Sequence, residues 1–536
     1  MNSYEKDAIE RLRPYLPECA VLLKSDGSFP LEGPCRIGAY GSGVRHTIKG
    51  GTGSGEVNSR YFVTIEEGLE KAGFTIINKD WLDGYDEVLV KAKADFIKEI
   101  KLRAKQKHTM AIMEGMGAVM KEPEHDLKIS QEGGVGIYVV SRICGEGNDR
   151  TFDKGDFRLN DSELRDILEL NRRCEKFLLV LNVGGPVDLS DLKEVGNILV
   201  LSQLGVDTGT ALADIVLGKG NPSGKLTTSW ARPEDYCTIG EFGDPDDSDY
   251  TEGIYVGYRY FDLAEKKPLY PFGYGLSFSS FSHRYLGVKV SKDMVSVRCE
   301  VANQGPYAGK QTMQLYVSCP DGKLNKPYQD LAAYRKTREL KANEKEELEL
   351  VFSMKTLASY DEEKEAYVLE KGDYILRLGE DSVKTAAVAV VTLDEDVVVR
   401  KVKNCLGDYG FKDHVFDRKL NDDLDKADKV SVFAMDLVSE KTEYKDDYPI
   451  RDDVRKLSEE ELAYLNIGAF SEKGGIASVI GDAAKSVAGA AGETCSKTGI
   501  KPLVMADGPA GLRISPLYYK DDKGVHSFGP SMPATM

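Results

Sequence analysis

The stretch Gly136-Ile-Tyr-Val-Val-Ser-Arg-Ile-Cys-Gly-Glu-Gly-Asn-Asp-Arg150 decides the fold, because an apolar run leads there directly into a glycine-rich acidic loop. Residues 136–140 have the length and the β-branched content of a buried strand. Gly145 and Gly147 carry no β-carbon, so the loop can turn tightly and hold the carboxylate of Glu146 outward at the carboxyl end of that strand. Taken alone, the same residues also make an ordinary solvated acidic turn. Their meaning therefore depends on the rest of the chain.

Apolar runs and helical patterns alternate through the first half of the chain. The further strand-like runs are residues 35–40, 177–182 and 197–202. Asn160 with Glu163 predicts a helix N-cap with its reciprocal glutamate, and we expect that helix to run to about Phe177. Residues 21–31 have the pattern of a strand, a turn and a second strand. This alternation predicts a mostly parallel sheet covered on both faces, with ligands bound beyond the carboxyl ends of the strands, where Glu146 lies.

Apolar residues change to a period of two after residue 281, which is typical of an antiparallel β-sandwich. The alternating runs are residues 295–301, 312–317, 347–352 and 374–378. We expect this sandwich to be a scaffold without chemistry of its own. The predicted domains are an α/β domain at 1–278, the sandwich at 279–395, a charged linker at 396–457 and a further domain at 458–536. Ser458 with Glu461 predicts a capping box at the start of the last domain.

Charge and composition exclude several classes of protein. With 41% hydrophobic and 30% charged residues the chain is globular, and its net charge of −17 is unfavourable for binding phosphate backbones, so we expect no nucleic acid partner. We see no apolar stretch long enough for a membrane helix and no signal peptide, which predicts no membrane association and a cytoplasmic location. The nine cysteines include no C-x-x-C pair, so we expect reduced thiols, no structural metal and no cofactor.

Two glycine-rich loops raise the alternative of a nucleotide-binding α/β protein. Gly38-Ala-Tyr-Gly-Ser-Gly43 and Gly50-Gly-Thr-Gly-Ser-Gly55 both lack the G-x-G-x-x-G spacing beside a strand, and neither ends in Gly-Lys-Ser/Thr. Asn221-Pro-Ser-Gly-Lys-Leu226 also fails, because Leu226 follows the lysine. This alternative would require ATP or NAD to raise the melting temperature.

Several short motifs follow one another along these segments, from residue 22 to residue 513. They are residues 22–31, Gly53-Ser-Gly55, residues 141–150, residues 221–226, Val256-Gly-Tyr-Arg-Tyr-Phe261, residues 271–277, Ala491-Gly-Glu-Thr494 and Asp507-Gly-Pro-Ala-Gly-Leu-Arg513. Together they resemble glycoside hydrolase family 3, the β-glucosidase-like enzymes, in the arrangement in which the sandwich domains precede the catalytic barrel. The resemblance covers nearly the whole chain. It implies an α/β sandwich domain, a fibronectin type III-like β-sandwich and then the first part of a (β/α)8 barrel.

The resemblance also implies a retaining mechanism on β-glucosides and assigns roles to four residues. Glu146 matches the general acid/base, and Ser54 matches a position that contacts the bound sugar. Asp507 and Arg513 match the barrel's glucose-binding pair, in which the carboxylate accepts from sugar hydroxyls and the guanidinium donates to ring substituents. The expected reaction is the hydrolysis of terminal non-reducing β-D-glucosyl residues, with a β-glucoside or a short β-linked oligosaccharide as the ligand.

The sequence departs from the family at the nucleophile. The family uses a barrel aspartate, typically followed by tryptophan and well downstream of Asp507, whereas the only Asp-Trp pair here is Asp80-Trp81, which we expect to be structural. A (β/α)8 barrel needs about 250 residues, and residues 458–536 supply about a third of them. We therefore expect a truncated barrel, an inactive lone chain and a separate chain or segment that completes the site. The alternatives are a carbohydrate-binding or interaction fragment without catalysis, and a β-xylosidase or another β-glycosidase of the family.

Overall fold

The computed structural model describes residues 3–55, 57, 59, 61–115, 117–147, 149–236, 250–405, 414–437, 448–469, 492–494 and 499–506, and the backbone of two strands beyond them. The first domain is built on one six-stranded sheet. Its strands are β1 (Val21–Lys24), β2 (Arg36–Tyr40), β3 (Thr75–Ile76), β4 (Val135–Arg142), β5 (Lys176–Val183) and β6 (Ile198–Val200). The strand order is β1-β6-β5-β4-β2-β3, and only the pair of β1 with β6 is antiparallel. The expected mostly parallel sheet is confirmed.

The first domain also contains helices, and strands β4 and β5 lie at the buried centre of its sheet. The helices are α1 (Ser3–Leu12), α2 (Leu16–Cys19), α3 (Ile65–Lys71), α4 (Lys79–Gln106), α5 (Ala111–Gly115), α6 (Asp161–Arg173), α7 (Thr208–Val216) and α8 (Tyr258–Phe261). All residues of β4 after Val135 are buried, as are all residues of β5 after Lys176. A strand that is buried on both faces has a continuous apolar sequence, which is why the apolar runs predicted both strands.

Two local expectations in this domain need correction. The stretch 21–31 holds one strand and not two: residues 28–31 form no strand, although Phe29 and Leu31 are buried in the core and the Leu31 N–H donates to the carbonyl of Val216 at 2.8 Å. The capping box of Asn160 and Glu163 is confirmed. Its helix, α6, ends at Arg173 and not near Phe177, because Cys174 is extended (φ −80°, ψ 145°) and leads directly into β5.

The second domain is the expected β-sandwich. Its strands are β7 (Phe281–Ser291), β8 (Met294–Asn303), β9 (Thr312–Ser318), β10 (Asp330–Lys336), β11 (Lys345–Ser353), β12 (Ser359–Asp361), β13 (Ala366–Leu369), β14 (Gly372–Gly379), β15 (Thr385–Leu393), β16 (Val397–Lys401) and β17 (Asp428–Val432). They form sheets in the orders β10-β9-β14-β15-β17, β11-β8-β7 and β12-β13-β16. Neighbouring strands pair antiparallel except β15 with β17.

The structure also differs from the expected linker at 396–457. Strand β16 pairs with β13, and β17 pairs with β15. Val397 and Val432 are buried in the sandwich core. Strands β16 (Val-Val-Val-Arg-Lys) and β17 (Asp-Lys-Val-Ser-Val) are short and carry charged residues themselves, so the charged composition of the stretch hid them. The sandwich therefore extends to β17, past the expected boundary at 395.

The C-terminal region contains α9 (Asp452–Arg455), α10 (Glu459–Leu465), β18 (Gly492–Glu493), β19 (Val504–Met505), β20 (Leu517–Asp521) and β21 (Gly524–Ser527). The capping box of Ser458 and Glu461 at the start of α10 is confirmed. Strand β19 pairs antiparallel with β18, and β20 pairs antiparallel with β21. Within the described part of this region the expected parallel barrel strands are not formed, and Val504 and Met505 are exposed. An apolar barrel strand is buried only when it has parallel neighbours and covering helices.

The α/β domain and the sandwich contact each other through charged pairs. Glu18 accepts hydrogen bonds from Lys310 at 2.5 Å and lies 3.1 Å from Lys336. Arg259 donates to Asp330 at 2.5 Å. Among the described helices, none combines the length and the apolar character needed to cross a bilayer.

Candidate active site

The loop that carries Glu146, residues 143–149, leaves the carboxyl end of β4. Because β4 lies between β2 and β5, and all three run parallel, the segments that follow these strands meet at the same edge of the sheet. The glycine-rich loop at residues 50–55 lies in the connection that follows β2. The expected ligand-binding edge thus brings together two loops that are far apart in the sequence.

The two loops interlock through backbone contacts. The Glu146 N–H donates to the carbonyl of Thr52 at 3.3 Å, and Thr52 Oγ1 donates to the carbonyl of Glu146 at 2.9 Å. Gly53 adopts φ +72°, and a β-carbon on it would lie 2.5 Å from Cβ of Glu146. On the other side of Glu146, a β-carbon on Gly147 would lie 2.8 Å from the carbonyl oxygen of Gly117. The close packing explains why glycines surround Glu146.

The side chain of Glu146 is exposed, while the backbone on both sides of it is held by the neighbouring loop. A carboxyl group on a fixed backbone at the edge of a parallel sheet can exchange a proton with a ligand bound there. Ser54 lies in the short 3-10 turn Gly53–Gly55 and directly follows Gly53, which packs against Glu146. Asp507 and Arg513, the other two expected site residues, lie outside the described residues.

Asn182 fixes the segment that leads into the glycine-rich loop, a role that was not predicted from the sequence. Its amide lies at the end of β5, fully buried, and accepts from the Ile48 N–H at 2.6 Å. The same amide donates to the carbonyl of Ile48 at 2.9 Å and to that of Ser202 at 2.7 Å. The available signal was a polar amide that interrupts an apolar strand, since such a side chain must find partners when buried.

A buried charged cluster lies below the Glu146 loop. Arg142, the last residue of β4, donates from Nη1 and Nη2 to Glu163 at 2.9 and 2.6 Å, and both side chains are almost fully buried. Glu122 lies 3.9 Å from Arg142 and accepts from the hydroxyl of Tyr85. Burial, and then the charge of Glu163, raise the pKa of Glu122 to about 7. Within this cluster the carboxyls pair with protein groups, so we assign it to structure and not to substrate.

Trp81 of the Asp80-Trp81 pair lies in the core of the α/β domain. Its ring stacks on Tyr85 with the centroids 5.2 Å apart and contacts the edges of Tyr40 and His125. Asp80 is exposed in the first turn of α4. This placement agrees with a structural role for the pair.

The described ranges contain no candidate metal cluster, and the groove described below lies away from Glu146. No group of three or more His, Cys, Asp or Glu residues there is arranged to hold a metal ion. A groove of about 1180 Å³ lies elsewhere, between residues 253–259 and the sandwich, with Arg259, Asp330 and Tyr360 among its lining residues. The described residues of the Glu146 loop, 143–147 and 149, do not line that groove.

Comparison with known families matches both large domains. The glycosyl hydrolase family 3 C-terminal domain matches residues 20–278, and the fibronectin type III-like domain matches residues 311–382. The chain is 33% identical to β-glucosidase A of Butyrivibrio fibrisolvens over 447 residues, covering 73% of this chain and 51% of that protein. It is 30% identical to a β-glucosidase of Ruminococcus albus over 415 residues, covering 74% of this chain and 42% of that protein. It thus spans about half the length of the curated relatives it matches.

Solved structures agree with the family comparison. β-Glucosidase 3B from Thermotoga neapolitana, in complex with glucose, superposes with a TM-score of 0.61 at 33% identity, covering 74% of this chain and 55% of that one. A β-glucosidase from Paenibacillus barengoltzii superposes with a TM-score of 0.75 at 25% identity, covering 95% of this chain and 58% of that one.

Proposed function

Because the chain belongs to glycoside hydrolase family 3, we propose that it carries the acid/base half of a retaining β-glucosidase site. The proposed reaction is the hydrolysis of terminal non-reducing β-D-glucosyl residues. The observation that supports it best is Glu146, an exposed carboxyl whose backbone is bonded to Thr52 at the carboxyl edge of the parallel sheet. That edge is where open α/β sheets bind ligands.

In the proposed mechanism Glu146 transfers a proton in both steps. A retaining glycosidase places two carboxyl groups about 5 to 5.5 Å apart on either side of the glycosidic bond. Glu146 protonates the leaving oxygen while the second carboxylate attacks the anomeric carbon and forms a glycosyl-enzyme. The ionised Glu146 then takes a proton from water, which displaces the enzyme carboxylate and releases the sugar with retained configuration.

The other roles in this proposal follow from the family resemblance. Ser54 contacts the sugar, Asp507 accepts from its hydroxyls, and Arg513 donates to it. We assign the nucleophile to a barrel aspartate of the kind that the family uses, and not to Asp80, Asp507 or any other carboxylate named above. Removing water from a carboxyl favours its neutral, proton-donating form. A sugar and a barrel wall that cover the exposed side chain of Glu146 would therefore prepare it as an acid.

A second candidate function is carbohydrate binding without catalysis. It needs only the proposed sugar contacts of Ser54, Asp507 and Arg513 and no nucleophile. A β-xylosidase activity is a variant of the first proposal, because the side chains that would distinguish glucose from xylose belong to barrel loops. Only a glycosidase releases product from an aryl glycoside, so one turnover assay separates the first candidate function from carbohydrate binding without catalysis.

The test mixes the full chain with the part of the Butyrivibrio β-glucosidase that this chain does not match, which we expect to supply the barrel, and follows aryl β-glucosides and β-xylosides. We call this the barrel mixture. We expect release of the aryl group, and Glu146→Gln should slow it by about 10²- to 10⁴-fold for poorly leaving aryl groups. Glu132→Gln is the matched control, because this exposed carboxylate precedes the opposite end of β4. Unchanged rates after Glu146→Gln would remove Glu146 as the acid/base. If calorimetry detects glucose binding to the chain while the mixture shows no turnover, the second candidate is favoured.

A further inference from the structure

The loop that carries Glu146 begins after Arg142 and ends before Arg150, and both arginines bond to one residue, Asp156. Arg142 Nε donates to the backbone carbonyl of Asp156 at 2.8 Å, and Arg150 Nε donates to Asp156 Oδ1 at 2.7 Å. The other carboxylate oxygen accepts from the Thr151 N–H at 2.6 Å. Asp156 therefore holds the two residues that flank the loop.

Arg142 is itself fixed, so its bond to Asp156 connects the loop to the core. Its side chain is 5% exposed, and the bidentate pair with Glu163 attaches it to the first turn of α6. A bidentate pair between a guanidinium and a carboxylate restricts both the position and the orientation of the arginine. The beginning of the loop is thus anchored to a strand and to a helix.

Arg150 anchors the end of the loop in a similar way. Its Nη1 donates to the carbonyl of Pro186 at 2.6 Å, in the segment that follows β5. Its guanidinium carbon lies 5.7 Å from the ring centroid of Phe157, which is buried. The carboxylate of Asp156 orients this guanidinium through Nε, so the end of the loop keeps a fixed distance from its beginning.

We propose that Asp156 is the positioning residue of the acid/base loop. Its carbonyl and carboxylate hold the two flanking residues, and Thr52 holds the tip at Glu146, so three attachments set the direction of the Glu146 carboxyl. The inference rests on the proposed function, because the direction of this carboxyl affects a reaction only if Glu146 transfers a proton. Asp156 acts through Arg150 and Thr151, and its role is to keep the carboxyl at a constant place relative to the sugar.

The test measures amide hydrogen exchange of residues 143–149 in the full chain. Asp156→Ala removes the acceptors for Arg150 and Thr151, and it should speed exchange in this loop about tenfold or more, because local opening no longer breaks these bonds. Asp156→Asn should give an intermediate rate, since its amide oxygen can still accept from Arg150 while its NH₂ group cannot accept from Thr151. The graded series separates loss of a specific acceptor from general damage to the fold.

Two controls accompany the series. Asp153→Asn removes a nearby exposed carboxylate paired with Lys121, and it should leave exchange in the loop unchanged. The only two tryptophans, Trp81 and Trp230, are buried in the α/β domain, so their fluorescence reports whether that domain stays folded in each variant. The double variant Arg150→Met with Asp156→Ala should speed exchange by less than the product of the two single effects, because both single changes remove the bond between Arg150 and Asp156.

Exchange in Asp156→Ala equal to that of the unmodified chain, or additive effects in the double variant, would overturn the proposal. In the barrel mixture, Asp156→Ala should lower kcat for an aryl β-glucoside by about tenfold or more with KM within about twofold, since only the reacting geometry changes. A shift in KM alone would contradict positioning. The exchange readout does not involve the Glu146 side chain, so a failure of the proposed function, seen with Glu146→Gln, is distinguishable from a failure of this inference.

Discussion

The side chain of Glu146 lies so close to Gly53 that a β-carbon on the glycine would sit 2.5 Å from Cβ of Glu146 and would overlap its carboxylate. Gly53 also has φ +72°, a conformation that residues with side chains adopt only at a cost. The close packing against Glu146 therefore explains the glycine at position 53.

Gly53→Ala should displace the Glu146 loop and lower the activity of the barrel mixture. The backbone strain alone should cost about 1 kcal/mol of unfolding free energy, measured by urea titration of tryptophan fluorescence. The matched control is Gly55→Ala in the same loop, because a β-carbon there meets no atom within 4 Å. Equal effects of the two substitutions on aryl β-glucoside turnover would contradict the packing argument.

Asn182→Ala should destabilise the α/β domain by about 2 to 4 kcal/mol, because it leaves the Ile48 N–H and the carbonyls of Ile48 and Ser202 without their partner. The same change should speed hydrogen exchange in residues 48–55, which follow Ile48. Asn171→Ala is the control, since this amide makes one bond at the surface, 3.3 Å to the carbonyl of Glu194. A loss below about 0.5 kcal/mol for Asn182→Ala would contradict this, because it would mean that water or a shift of the backbone replaces the lost hydrogen bonds.

Glu163→Ala should be among the most destabilising single changes in the first domain, at about 3 to 5 kcal/mol. It leaves the buried guanidinium of Arg142 without its bidentate partner and removes half of the capping box of α6. Glu169→Ala in the same helix breaks only the pair with Arg173, whose side chains are 22% and 27% exposed, and should cost about 0.5 kcal/mol or less. Urea denaturation of both variants tests the difference.

The buried pair of His125 and Asp166 predicts two opposing effects of pH on stability. Their atoms Nε2 and Oδ2 lie 3.7 Å apart, and both side chains are fully buried. Burial lowers the pKa of His125 from 6.5 to about 4, so only the unfolded chain binds that proton between these pH values and stability falls on acidification. Burial raises the pKa of Asp166 from 3.8 to about 6, so the folded protein binds the extra proton there and stability rises on acidification.

Asp166→Asn removes the second effect and leaves the first. Between pH 6.5 and 4 the unfolding free energy of this variant should fall more steeply than that of the unmodified chain, by at most about 1.4 kcal/mol per pH unit. Asp161→Asn, an exposed carboxylate on the same helix, should keep the original slope. Urea titrations at four pH values measure the slopes, and identical slopes for all three proteins would show that Asp166 does not titrate in this window.

Local sequence patterns predicted most of the elements that depend on near neighbours. The capping boxes at Asn160 and Ser458 involve residues three apart, and β4 and β5 are continuous apolar runs, so both kinds of signal are complete within a few residues. The pattern failed where short strands needed distant partners: β16 and β17 lie in a charged stretch and become strands only by pairing with β13 and β15.

The residues of the candidate site differ in the same way, since some depend on near neighbours in the sequence and others on distant partners. Glu146 and its flanking glycines could be proposed from the sequence because the motif and the carboxyl group lie in one loop. Asn182, Arg142 and Asp156 could not, since their roles depend on bonds to Ile48, Glu163 and Arg150, and hydrogen bonds between loops exist only after the parallel strands bring their carboxyl ends to one edge. The chain itself thus encodes which carboxyl is presented, and the packing of separate loops sets the direction in which it points, because direction requires several attachments distant in sequence.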